Sequence, residues 1–197
     1  MDDGKLRRSE WDVRDISAKE AREFVIEHHY SKGCSNTRVY SHGLFCRGGN
    51  DLYGVAVWLP PTKVAAQSVN KEEWKKVLSL TRLACSPEAP KNAASFLMGS
   101  SIRLIKKDGR FVSLVTYADV RMSHTGAIYR ATNWEYVGEM RGSPAWIDPN
   151  TGQQVAKKAT TTRSKKEMED LGYECIGTFG KHKFVMHLHK EGSAESR

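Results

Sequence analysis

The sequence predicts an α/β (α+β) fold, a single domain built on a central mixed sheet flanked by helices. Two observations carry this. A hairpin near Arg38–Cys46 and Leu52–Leu59, joined by the turn Arg47-Gly-Gly-Asn-Asp51, is followed by a strand over Val77–Cys85, a helix from Asn92 to about Lys107 and an apolar strand over Phe111–Ala118. The hairpin pairs antiparallel, whereas a strand–helix–strand unit requires a parallel pair, so the sheet is mixed. The length, 197 residues, is ordinary for one domain and sufficient for a core without disulfides.

Taken in order, Ser17-Ala-Lys-Glu20 is a capping box that starts the first helix, with Ala21, Phe24, Val25 and His28 on its inner face. Ser31-Lys32-Gly33 stops it after His29-Tyr30. Glu72–Lys76 is read as a short helix. Asn92 is the expected N-cap of the long helix, whose inward stripe is Ala94, Leu97, Met98, Ile102 and Ile105, and Lys106-Lys-Asp-Gly109 closes it. A short helix from about His124 to Thr132, a strand over Glu135–Arg141 and a closing strand over Lys183–Leu188 complete the pattern. Residues 1–12 and 191–197 read as tails, 13–190 as the domain, and 142–166 as a polar, basic excursion.

Composition narrows the functional classes. No apolar run reaches the ~18 residues of a membrane helix, and the start MDDGKLRRSE lacks the apolar core of a signal peptide. The four cysteines, Cys34, Cys46, Cys85 and Cys175, are scattered without a C-x-x-C, which points to a reducing cytoplasm. The net charge is +8, and residues 91–190 hold 16 basic against 9 acidic side chains. Such a bias suits an anionic partner, nucleic acid or cofactor phosphate, and equally a generic basic surface.

Tyr129-Arg-Ala-Thr-Asn133-Trp134 resembles the short helix and turn of GNAT acyltransferases, with Asn133 where glycine is usual; Asn is the next best residue for a left-handed turn. The finer resemblance is to the Mom-like branch, phage proteins that hypermodify adenine in DNA. It rests on His29-Tyr-Ser-Lys-Gly33, on Leu83 to Leu97 with Ala-Pro-Lys-Asn-Ala-Ala-Ser inside it, on Tyr117-Ala-Asp119, on His124-Thr-Gly-Ala-Ile-Tyr129 and on Lys181-His-Lys-Phe-Val185. The segment Ser86–Ser95 departs from the usual acetyltransferase pattern because it contains no glycine.

The resemblance implies a splayed sheet holding acetyl-CoA, or a related acyl-CoA, at Leu83, Ala84, Cys85, Asn92, Ala93, Ala94 and Asn133. It implies functional residues at Asp119, Tyr129, His29, Tyr30 and Ser95. Tyr129 would protonate a leaving thiolate, Asp119 or His29 would accept the adenine N6 proton, and Tyr30 would stack on a flipped base. His28 reads as a core histidine. His124 is a weak metal or phosphate candidate, since no H-x-x-x-H spacing supports a metal site. Double-stranded DNA is the implied partner, with Lys32, Arg130, Arg141, Lys157, Lys158, Arg163, Lys165, Lys166, Lys181 and Lys183 toward its phosphates. The family product carries an acetamido group on N6, which simple acetyl transfer does not make, so a second substrate, a further enzyme or a rearrangement stays open. The competing functions are an ordinary N-acetyltransferase for a small amine or protein, and a non-catalytic DNA-binding domain.

Overall fold

The computed structural model describes residues 4–122, 125–155 and 157–188. Its elements run β1 (Trp11–Asp15), α1 (Ala18–His28), β2 (Tyr40–Cys46), β3 (Leu52–Leu59), α2 (Lys63–Gln67), β4 (Val77–Cys85), α3 (Ala93–Asp108), β5 (Ser113–Asp119), α4 (Ala127–Arg130), β6 (Glu135–Ile147), α5 (Lys157–Thr161), α6 (Lys165–Asp170) and β7 (Glu174–His187). The seven strands form one sheet in the order β1-β2-β3-β4-β5-β7-β6. The first four are antiparallel neighbours, and β4 and β5 are parallel across α3. This is the expected mixed sheet. No helix among the described residues is long and apolar enough to cross a membrane.

The chain forms two compact units. The first comprises the chain up to Tyr117, Ala127–Tyr136 and the chain from Phe184; the second comprises Ala118–Gly126 and Val137–Lys183. In the first unit α1 starts on the Ser17–Glu20 capping box, with both reciprocal bonds formed. Its Ala21, Phe24 and Val25 bury against Val55, Val57 and Ala84 of the sheet. The long helix α3 buries Leu97, Met98 and Ile105 completely. It sits close over β3 at Gly54, where a Cβ would lie 3.0 Å from Cys85 Sγ and 3.2 Å from Leu97 Cδ2. Glycine there lets the start of α3 approach the end of β4.

A chain of polar side chains crosses this core. The Trp58 indole Nε1–H donates to Ser101 Oγ at 2.7 Å, and Ser101 Oγ meets His42 Nδ1 at 2.6 Å. His42 Nε2 lies 3.3 Å from Asp15 Oδ1. Since Ser101 already accepts from Trp58, its own proton is directed to Nδ1, which leaves Nε2–H facing the carboxylate. Burial holds the His42 pKa below its usual 6.5, against the smaller opposing pull of Asp15.

Several boundaries differ from expectation. The N-terminal stretch is docked: the Leu6 amide donates to the Lys91 carbonyl at 3.0 Å, and the Lys91 amide to the Gly4 carbonyl at 2.9 Å. Residues 11–15 pair with β2 as an edge strand, and the alternation of Trp11-Asp-Val-Arg-Asp15 is too short to have marked it. The expected helix over residues 72–76 is a single 3-10 turn, Trp74–Lys76. The strand expected to end at Arg141 continues to Ile147, through the first part of the supposed excursion, and the closing strand begins at Glu174 rather than Lys183. In the second unit Ala145, Trp146 and Met168 are buried, while most of β6 is exposed on both faces. That double exposure is why no hydrophobic period marked its length.

Candidate active site

The site grows from the pairing of β4. Against β3 its register persists to Gly54↔Cys85, with one extra residue, Thr81, between the pairs Val57↔Arg82 and Trp58↔Leu80. Bulges of this kind bend a strand and cluster at functional sites. Against β5 the register ends at Leu80↔Thr116. Leu83, Ala84 and Cys85 therefore run on beyond the fork with β3 on one side and no registered strand on the other.

At the fork, Thr116 Oγ1 donates to the Leu80 carbonyl at 3.1 Å, and the Tyr129 hydroxyl lies beside the Thr116 side chain. The Tyr129 ring packs 5.8 Å from that of Trp134 and 5.1 Å from that of Phe184. Its carbonyl accepts the Trp134 amide at 3.0 Å. Burial raises its pKa above 10, with the neighbouring Thr116 side chain opposing, so the phenol keeps its proton at physiological pH.

The turn after α4 depends on Asn133, at φ 65° as anticipated. Asn133→Ala is expected to lower stability by about 1–2 kcal/mol, or roughly 2–8 °C in the melting temperature. Asn133→Gly should melt within a degree or two of wild type. An alanine variant that melts like wild type would show that this turn relaxes without cost.

A cavity of about 440 Å³ lies at the start of α3, lined on one side by Cys85, Asn92, Ala93, Ala94 and Ser95 and on the other by Ala127, Ile128 and Ala131 of the α4 region. Of the residues expected to hold a cofactor, Leu83, Ala84 and Asn133 do not line it. Leu83 and Ala84 belong to the β4 segment beyond the fork, and Ala84 packs in the α1 core. Asn133 sets the turn behind α4. The N-cap expectation for Asn92 is corrected in its chemistry. Its side chain caps nothing, and its backbone is left-handed at φ 68°, the conformation for which glycine is the default. Ser95 Oγ donates to the Asn92 carbonyl at 2.9 Å.

A glycine-free segment thus provides the left-handed residue that leads into a 16-residue helix, whose first-turn amides lack intrahelical acceptors. Such a helix start suits phosphate, so the residues present fit a phosphorylated cofactor. Cys85 is part of the wall only: burial pushes its thiol up to about 11, well away from a reactive thiolate.

His29 caps the C-terminus of α1. Its Nδ1 accepts the Ser31 amide at 3.1 Å and meets Ser31 Oγ at 2.8 Å. In the neutral ring Nε2 therefore carries the proton, which makes His29 a donor rather than a base. Tyr30 is 42% exposed, with its ring centred 4.3 Å from that of His29. Arg82 ties this corner to β4, donating from Nε to the Gly33 carbonyl and from Nη1 to the Thr81 carbonyl, each at 2.7 Å. Sequence reading missed Arg82 and Thr116. A lone arginine in the strand Val77–Cys85 was a legible signal, but the hydroxyl at the fork was not.

Asp119 ends β5 and belongs to the second unit. Its Oδ1 accepts the Arg121 amide at 3.1 Å. His124 lies outside the described residues.

The expected DNA contacts separate by environment. Arg141, Lys166 and Lys181 are exposed. Arg163 donates to the Ala159 carbonyl at 3.2 Å, and Lys165 pairs with Glu169 at 3.7 Å. Arg130 lies over the Tyr136 and Phe184 rings. Lys32 donates to the Glu27 carbonyl at 2.7 Å, closing α1. The backbones of Lys157 and Lys158 open α5, while their side chains fall outside the description. Lys183 is a correction: it is 4% exposed, and burial lowers its pKa, so its ammonium is held away from any surface phosphate.

The fold is that of the GNAT acetyltransferases. The ribosomal-protein-S18-alanine N-acetyltransferase of Escherichia coli superposes with a TM-score of 0.55 at 10% identity, covering 95% of this chain and 99% of that one. A Bacillus subtilis acetyltransferase in complex with CoA gives 0.55 at 12% identity over 91% and 99%, and a GNAT-family acetyltransferase of Streptococcus pneumoniae gives 0.54 at 8% over 91% and 100%. The chain belongs to the Mom protein family, whose model matches residues 10–197. It is 25% identical over 192 residues to the methylcarbamoylase mom of Escherichia phage Mu, covering 90% of this chain and 76% of that protein.

Proposed function

We propose that this protein modifies adenine N6 in double-stranded DNA with an acetamido group, using an acyl-CoA-type donor, in the cytoplasm of a bacterial host, and so shields phage DNA from restriction. The observation that carries this reading is the Tyr129 hydroxyl at the β4/β5 fork of a Mom-family chain. The donor, when bound, would supply an activated acyl carbon on a sulfur leaving group; acyl transfer by itself places an acyl group on N6, so the nitrogen of the acetamido (carbamoylmethyl) group would come from a second substrate, a further enzyme or a rearrangement. Asn92, Ala93, Ala94 and Ser95 would hold its phosphates at the start of α3, and the free edge of Leu83–Cys85 would orient its extended arm. Tyr129 holds a proton at Oη for the departing sulfur.

The adenine amine is a weak nucleophile paired within the duplex, so the base must leave the stack at a cost of a few kcal/mol. Tyr30 offers a stacking face and His29 a donor at Nε2. Asp119 would accept the N6 proton, its carboxylate oriented by the Arg121 amide. Arg130, Arg141, Lys157, Lys158, Arg163, Lys165, Lys166 and Lys181 would contact phosphates collectively.

The test is to express the protein in a bacterial host, digest total DNA to nucleosides and analyse them by mass spectrometry. An adenosine heavier by an acetamido group is expected. Soluble protein with unmodified DNA would refute DNA modification, and turnover of acetyl-CoA on simple amines would then assign an ordinary N-acetyltransferase.

A further inference from the structure

The docked N-terminal segment does more than fill an edge. By bonding to Lys91, immediately ahead of α3, it carries Leu6 and Arg8 onto the flank of that helix. There they face Phe96 and Arg103 across a hollow of about 340 Å³, which shares Asn92, Ser95 and Ala131 with the candidate cofactor cavity. A further hollow of about 300 Å³ continues the groove past the same Arg8, Phe96 and Arg103.

Among the described residues, the charge of two arginines in this groove, Arg8 and Arg103, is uncompensated. Arg47 at its far end pairs with Asp12 at 3.5 Å. Arg103 bonds the neutral Ser100 hydroxyl at 2.7 Å, and among the described residues neither Arg8 nor Arg103 meets a carboxylate. The stretch 91–110 carries five basic side chains, Lys91, Arg103, Lys106, Lys107 and Arg110, against the single acid Asp108. Two unneutralised guanidinium groups suit phosphate oxygens, and the aromatic face of Phe96 with the apolar Leu6 suits a flat heterocycle. Anion grip beside an aromatic wall is the chemistry of a nucleotide.

We infer that this strap-walled hollow binds the nucleoside end of the donor, with Arg8 and Arg103 gripping the phosphate on its ribose while the start of α3 holds the pyrophosphate. The inference rests on the acyl-CoA reading above, which places the remainder of the donor in the adjoining cavity.

Calorimetric titration of the full chain tests it, with CoA, adenosine 3′,5′-bisphosphate and a short DNA duplex as separate probes. Wild type should bind CoA and the bisphosphate. Arg8→Ala and Arg103→Ala should each weaken both by about tenfold, the scale of one charge-assisted contact, with matching thermal melts, and removal of residues 2–7 should do the same. Unchanged CoA affinity in both arginine variants would overturn the hollow's role and leave the donor reading standing. Bisphosphate binding without CoA binding would sink the donor reading, and with it the assignment of this hollow to the donor, leaving a nucleotide site of another kind; binding of neither would overturn both. Weaker duplex binding with unchanged CoA affinity would reassign the arginines to the DNA backbone and reject the inference.

Discussion

Tyr129→Phe is expected to cut DNA modification by about 10²- to 10⁴-fold, the usual contribution of a positioned proton donor. The ring contacts with Trp134 and Phe184 survive this change, and the Thr116 hydroxyl keeps its own acceptor in the Leu80 carbonyl. The structural loss is at most one hydroxyl contact, about 0.5–1.5 kcal/mol. Modification per unit of protein, read by nucleoside mass spectrometry, should collapse while the melting temperature shifts by only a few degrees. Full modification by the phenylalanine variant would demote Tyr129 to a packing residue and move the search for a proton donor elsewhere around the fork.

The largest stability effect is expected at Ser101. Ser101→Ala removes in one step the acceptor of the Trp58 indole N–H and the donor to His42 Nδ1, both in a fully buried position. Each orphaned group costs about 1–3 kcal/mol, so the two together cost about 2–6 kcal/mol. That corresponds to a fall in melting temperature of roughly 5–20 °C at this chain length.

The same chain predicts an acid dependence. His42 is kept neutral by burial, its folded pKa lying below the usual 6.5. As pH drops through 6.5 the unfolded chain takes up a proton that the folded one refuses. The His42 contribution is therefore complete above about pH 6.5 and is lost as pH falls toward the folded pKa. Thermal melts between pH 8 and 5 should show that decline, and His42→Gln should flatten it. An equal slope in the glutamine variant would assign the dependence to other groups.

Much of the frame was legible because it is one-sided. The helical spacing of Leu97, Met98, Ile102 and Ile105, and the capping box at Ser17, reported burial and chain entry directly. Asn133 could be read as left-handed because few residues besides glycine accept that conformation. The fork itself was not legible, since it depends on a register ending at Leu80↔Thr116 and on a threonine hydroxyl, and neither leaves a period in the sequence. Lys183 was misjudged for a related reason: a charge count has no depth. The extent of β6 was hidden because residues exposed on both faces follow no alternation, and the N-terminal strap because its docking is made by backbone groups of Gly4, Leu6 and Lys91 that every sequence possesses.

That strap also has a practical side. Its first bond to Lys91 comes from the Gly4 carbonyl, so any leader peptide joined ahead of the chain begins within a few residues of the rim. A leader rich in Asp or Glu would hold carboxylates near Arg8 and Arg103 at an effective concentration in the millimolar range, as short flexible tethers do. It would act as a built-in competitor for whatever the arginines grip. Tag placement and tag charge are therefore experimental variables for this protein, and an acidic N-terminal fusion would mask the affinities that the untagged chain displays.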